Sequence, residues 1–210
     1  EQAKKIMGNN FIGPSELKKI SFKLNITDPY VRKIPSIPFA DNILKKIARD
    51  YILILGLPSV KDGTKLTINN MRLFFGFDPA EKDPCFYNQD WYLREKFAKD
   101  VFLKFKWYLI KKTVVKSSRG KNPEEIEKGL PSDRSFPPAV LTAFTFFSYY
   151  LLNGEILWRN DFMWCSDKDE NGDRIYVGRY IDPKKINKNG FNIHRHLSIR
   201  PCYGLAPQII

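Results

Sequence analysis

The chain has 210 residues, 43% of them hydrophobic and 14% aromatic, and its 35 basic against 23 acidic side chains give a formal net charge of +12. That much apolar content excludes a disordered chain and is enough to bury a core in one domain, or in one domain with an appendage. The charge draws the protein toward phosphate backbones, anionic lipid or acidic protein surfaces, and is silent about fold.

Residues 1–50 are expected to form a helical N-terminal arm or subdomain. Ser15 stands where it would cap a short helix, and residues 41–48 carry apolar side chains at helical spacing after an acidic start. Between them Asp28-Pro29, Pro35 and Pro38 interrupt regular structure. Residues 51–56 are large and apolar and end at Gly56-Leu57-Pro58, which suits a buried strand and a helix end equally. Residues 67–75 predict a short capped helix, followed by Asp-Pro turns at 78–79 and 83–84, and residues 88–101 have the spacing and acidic-to-basic drift of another helix.

From 104 to 115, Phe105, Trp107 and Leu109 alternate with Lys104, Lys106 and Tyr108, the period of a half-buried strand with a basic outer face. Residues 117–123 read as a loop, and a helix starts at Pro123 with Glu124 and Glu125 in its first turn. Leu130-Pro131 and Pro137-Pro138 bracket a polar linker. The apolar run at 139–152 that follows is shorter than the roughly 20 residues a bilayer-spanning helix needs, so a buried core helix is expected and no membrane span. Strands are then expected at 161–166, at 174–180 and from Phe191 onward, the first two joined by Asn171-Gly172 in a type I′ turn. Helices first and strands last define an α+β class, a helical N-terminal part packed on a mixed or antiparallel C-terminal part. The main domain would span 51–210, with its β-rich end at 158–210.

Cys85, Cys165 and Cys202 are odd in number and form no Cys-x-x-Cys, which argues against a disulfide framework or thiolate zinc site and for a reducing, cytoplasmic compartment. No apolar leader follows residues 1–5, so secretion would require a trimmed N-terminus.

Four chemical candidates stand out. Asp167, Asp169, Asn171 and Asp173 alternate around Gly172 like the first half of a calcium loop, but Gly178 stands where a bidentate glutamate would complete it. The readings are a solvated turn or a weak, stabilising Ca2+ site. His194 and His196 would share one face of a strand, without a third ligand nominated nearby. Asp83, Asp90 and Glu95-Lys96 supply carboxylates and a lysine for a magnesium-dependent nuclease, but at poor spacing for one helix face, so a non-enzymatic role is the expectation. Lys104, Lys106, Lys111, Lys112, Lys116, Arg119 and Lys121 run without an acid and interleave Phe105, Trp107 and Tyr108, a pattern that fits nucleic acid as well as it fits a protected strand with core aromatics.

At Trp164-Cys165-Ser166, Gly178-Arg179-Tyr180 and Ile199-Arg200-Pro201-Cys202 the C-terminal segment resembles a C-type-lectin-like domain of the bacterial and phage type. That group includes formylglycine-generating-enzyme-like domains and the variable proteins of diversity-generating retroelements. Leu130-Pro131-Ser132, the long helix and the final strands follow in the family's order over roughly the last 80 residues. The family's Gly-Trp-Arg-Leu-Pro run and its paired catalytic cysteines have no counterpart, so its enzymatic activity is not carried over. The resemblance implies a recognition module that contacts a macromolecular partner, a protein ahead of a nucleic acid, through its C-terminal β face. Asn160, Asp161, Asn187, Asn189, Asn192, His194 and His196 would be its display positions.

Overall fold

A computed structural model describes residues 1–180, 190–195 and 198–210. In chain order the helices are α1 (Gln2–Met7), α2 (Pro14–Leu24), α3 (Asp41–Ile47), α4 (Ile68–Phe75), α5 (Lys96–Lys99), α6 (Pro123–Lys128) and α7 (Ala139–Asn153). The strands are β1 (Phe11–Ile12), β2 (Tyr51–Leu55), β3 (Trp107–Lys111), β4 (Arg134–Ser135), β5 (Phe162–Lys168), β6 (Arg174–Tyr180), β7 (Gly190–His194), β8 (Tyr203–Gly204) and β9 (Gln208–Ile209). They form a five-stranded sheet in the order β1-β2-β3-β9-β4 and a four-stranded sheet in the order β7-β6-β5-β8. Both sheets mix parallel and antiparallel neighbours, so the α+β class holds.

Helix α7 packs on α2, α4, β5 and β6, and every residue from Ala139 to Tyr149 is buried. A helix apolar on all sides is stable only inside a core. Its start, Pro137-Pro138, offers no side-chain cap. The Asp167 carboxylate supplies one from β5 instead, accepting the Ala139 backbone N–H at 2.6 Å, where an anion also meets the positive end of the helix. Burial raises the Asp167 carboxyl above its ordinary value, against the lowering effect of that bond.

Residues 1–50 are tied into the same core as the rest. β1 pairs in parallel with β2, α2 lies on α7, and Leu17, Ile20 and Leu44 are buried with Leu53 and Phe144.

Three local expectations change. Strand β3 is not half-buried: all of β2 and Trp107 to Ile110 are buried, because both faces of the central strands are covered. The Trp107 indole donates to Pro35 O at 2.8 Å, which places the proline-rich N-terminal segment against it. The helix expected over 88–101 shrinks to α5, since tertiary bonds hold the remainder in turns. Trp91 Nε1 donates to Ile193 O at 3.1 Å, and Leu93 O accepts from Asn69 Nδ2 at 2.7 Å. The hairpin between β5 and β6 is not type I′ either. Only Gly172 has positive φ, at 88°, and Gly172 N–H donates to Asp169 O at 3.0 Å, the pattern of a type I turn closed by a left-handed glycine.

Candidate anion-binding cleft

The antiparallel register of β2 and β3 sets Tyr51 opposite Lys111. Strand β9 lies between β3 and β4, pairing Ile209 with both Leu109 and Arg134, and so brings Arg134 to the same end of the sheet. The chain after β3 is stitched to the C-terminal segment. Lys111 N–H donates to Pro207 O at 3.0 Å and Val115 N–H to Leu205 O at 2.9 Å. Ser118 Oγ donates to Val115 O at 2.7 Å and accepts from Leu205 N–H at 2.9 Å. Helix α6, capped by Asn122, forms the opposite wall.

These elements enclose a cleft of about 410 Å3. Lys111, Lys121 and Arg134 line it above an apolar floor that includes Ile126, Leu130 and Leu205. Lys111 Nζ lies 4.9 Å and the Arg134 guanidinium 5.6 Å from the centre of the Tyr51 ring, cation–π contacts that hold two positive charges side by side. Burial raises the Tyr51 phenol above its ordinary value, so the ring stays neutral beneath them. The one acid among the described lining residues, Glu125, is engaged in the α6 capping box: its carboxylate accepts from Asn122 N–H and its own N–H donates to Asn122 Oδ1. Arg134 also pairs with the exposed Asp133 at 2.8 Å just outside the lining, so the cleft's excess positive charge over its apolar surface comes from Lys111 and Lys121.

Of the basic run, Lys111 and Lys121 belong to this cleft. Lys104 and Lys106 lie at the other end of β3, with Lys106 Nζ folded 4.9 Å over the Tyr108 ring. Lys112 turns to a second cleft, Lys116 is exposed in the following turn, and Arg119 forms a two-pronged ion pair with Asp161 at 2.6 and 2.8 Å. Trp107 and Tyr108 are core residues and present no face to a nucleobase. Tyr51 and Arg134 are the members that sequence reasoning missed. One sat in an apolar strand and the other in a proline-bounded linker, and only the pairing of β9 with both β3 and β4 unites them.

Among the described residues, the polar C-terminal positions do not share one display face. Asn192 is buried, its Nδ2 donating to Gly190 O at 2.8 Å, which corrects its placement as a display residue. Asp161 is held by Arg119, and Asn160 is exposed with a left-handed φ of 61°. Asn187, Asn189 and His196 lie outside the described residues. His194 is half-buried between the Phe162 and Tyr176 rings, with Gln89 Nε2 3.2 Å from its Nδ1.

Burial pushes the His194 imidazole down to about 4. The native ring is neutral, while the unfolded ring takes a proton near its ordinary 6.5. Stability contributed by the neutral ring is therefore complete above that value and falls as pH drops through the window between them. The expected loss is about 1–3 kcal/mol. Urea titrations across the window should show a steeper pH dependence for the wild type than for His194→Gln, and parallel profiles would refute the assignment.

Asp167, Asp169, Asp83 and Glu95 are held in structural contacts, while Asp90 is exposed. Asp167 caps α7. Asp169 Oδ1 accepts the Asn171 and Asp173 backbone N–H groups at 2.9 and 2.8 Å, and its Oδ2 lies 2.8 Å from Arg195 Nη1. Burial raises the Asp169 carboxyl, but the backbone bonds and Arg195 outweigh it and hold it below the ordinary carboxylate value. Asp83 pairs with Arg179 at 2.9 Å, and Glu95 binds Arg195 and the Glu170 backbone N–H. Among the described residues, no three His, Cys, Asp or Glu side chains come together as a metal site. Burial also raises the thiols of Cys85, to about 11, and Cys165, which removes both as nucleophiles at neutral pH.

No protein-family model, curated protein or solved structure matches the chain. No described helix is long and apolar enough to cross a membrane.

Proposed function

We propose that the protein is a non-enzymatic recognition module that takes an acidic segment of a partner protein into the cleft beneath Tyr51. The observation that carries this reading is the convergence of Lys111, Lys121 and Arg134 over an apolar floor whose one described acid is engaged in a helix cap. A phosphate backbone needs an open track of cations and stacking faces. An acidic peptide with interspersed leucine or phenylalanine needs cations and an apolar trough together, as this cleft supplies. The reading keeps the partner-binding role implied by the C-type-lectin-like resemblance and moves it from the polar tail to the seam where that tail closes on β3.

The net charge of +12 favours a second reading, a nucleic-acid-binding protein using Lys111 and Lys121. Fluorescence anisotropy distinguishes the two. Labelled acidic peptides bearing Leu or Phe should bind at about 50 mM salt and more weakly at about 200 mM, whereas single- and double-stranded oligonucleotides should bind poorly at both. Charge reversal at Lys111→Glu or Arg134→Glu should each lower peptide affinity about tenfold or more. Salt-sensitive oligonucleotide binding without peptide binding would transfer the proposal to nucleic acid, and binding unchanged in both variants would remove the cleft from it.

A further inference from the structure

Lys111 and Lys112 point to opposite sides of the strand end, and the Lys112 side opens into a second cleft of about 340 Å3. Its lining differs in kind. Arg49, Lys112 and Arg159 are matched by Asp50, Glu155 and Asp161, so both signs of charge meet there.

Beneath it lies a polar network drawn from distant parts of the chain. Lys112 Nζ donates to Tyr149 OH at 2.7 Å and stands 3.8 Å from Glu155 Oε1. The Tyr149 hydroxyl then faces two acceptors, Asn10 Oδ1 at 3.1 Å and Glu155 Oε2 at 3.2 Å. A phenol has one proton and serves one of them at a time. Glu155 therefore keeps acceptor capacity and Lys112 keeps donor capacity, side by side. Asp161 is already held by Arg119, while Arg49 and Arg159 are exposed at the rim.

Two further observations set the wall at Trp158 apart. Trp158 is a bulky residue in the left-handed region, at φ 49°, and Asn160 follows at φ 61°. Asparagine adopts this conformation readily, but for a bulky residue such as Trp158 it costs free energy and persists where the surroundings enforce it. The Trp158 indole N–H is also buried, with no hydrogen-bond partner among the described residues, in a residue that lines the cleft.

We infer that this cleft binds a small zwitterion of the free α-amino-acid type. Lys112 and Arg159 receive its carboxylate, and Glu155 receives its ammonium group. A simple anion would leave the acids of the cleft facing it, and a simple cation would face the three basic groups; a ligand carrying both charges satisfies both sets. This site is separate from the peptide cleft, and its occupancy does not depend on that reading.

The test is a thermal-shift and calorimetric titration of the full chain with the L-amino acids, each beside its decarboxylated amine and its deaminated acid. At about 10 mM, one or more amino acids should raise Tm saturably while their matched amines and acids do not. Lys112→Met and Glu155→Gln should each weaken that binding about tenfold or more. Should Lys112→Met fail to fold, Glu155→Gln decides alone, since the Glu155 side chain is 58% exposed. The inference is overturned if no amino acid shifts Tm, if an amine or acid binds as tightly as its parent, or if folded Glu155→Gln keeps wild-type affinity.

Discussion

Phe147→Ala is expected to destabilise the protein by about 3–5 kcal/mol, the cost of deleting a fully buried aromatic ring. Phe147 has no exposed surface and stacks on Phe75 with ring centres 4.0 Å apart. It also meets Phe86 at 5.0 Å, Phe146 at 5.2 Å and Phe191 at 5.9 Å. One ring therefore joins α7 to α4, to the chain before residue 87 and to β7, and the cavity left by alanine would open where none of them can collapse independently. For a protein of this length each kcal/mol is worth about 2–4 °C, so Tm should fall by roughly 6–20 °C. Phe147→Leu keeps most of the volume and should lose clearly less. Calorimetry on the pair checks this, and an alanine variant within a degree or two of wild type would contradict the packing.

Asp169→Ala carries the second large effect, about 2–4 kcal/mol, because it opens two backbone N–H groups of the hairpin and removes the nearer carboxylate from Arg195 at once. Arg195 also lies 4.4 Å over the Trp91 ring and 3.4 Å from Glu95, so its displacement loosens the 88–101 segment as well. Asp169→Asn keeps a turn acceptor while losing the charge and should fall between alanine and wild type. Since the native carboxyl titrates below its unfolded value, its contribution is present above the unfolded value and disappears as pH falls through the native one. The difference in unfolding free energy between wild type and Asp169→Asn should accordingly shrink in acid. Melting curves in calcium and in excess chelator should coincide, because this carboxylate is already taken by Arg195 and the turn. A calcium-dependent rise in Tm lost in Asp169→Ala would restore the cation-loop reading.

Much of the fold was legible where local signals and burial agree. The apolar run at 139–152 became α7, Thr67 caps α4 by accepting Asn70 N–H, and the Asp41 start of α3 fell where the spacing put it. The strand or helix end at 51–56 resolved to a strand because β3 pairs with it along all five residues. Local patterns mislead where distant partners decide. Lys104 and Lys106, just before β3, imitated alternation in a strand that is covered on both faces. The apolar spacing at 88–101 was spent on side-chain contacts with β7 and with the α4 helix, not on one helix face. The Asn171-Gly172 pair marked the hairpin correctly, but the Asp169 side chain chose its turn type. For the cleft, the lysines were visible as a charged run. Their grouping with Tyr51 and Arg134 was not, because it depends on a strand 74 positions beyond Arg134 that begins at Gln208.

That closing strand also governs how the molecule is made. During synthesis β2 and β3 can pair as soon as both have emerged, but the far edge of β3, at Leu109 and Ile110, has no neighbour until residues 208–209 leave the ribosome. Strand β4 likewise waits for β9, its partner strand among the described residues. A nascent chain thus carries an apolar, unpaired strand edge while the residues between β3 and β9 are made, a state that invites pairing between neighbouring chains on one message. The quality of expression should therefore depend on chaperone supply and translation rate far more than the stability of the finished fold would suggest.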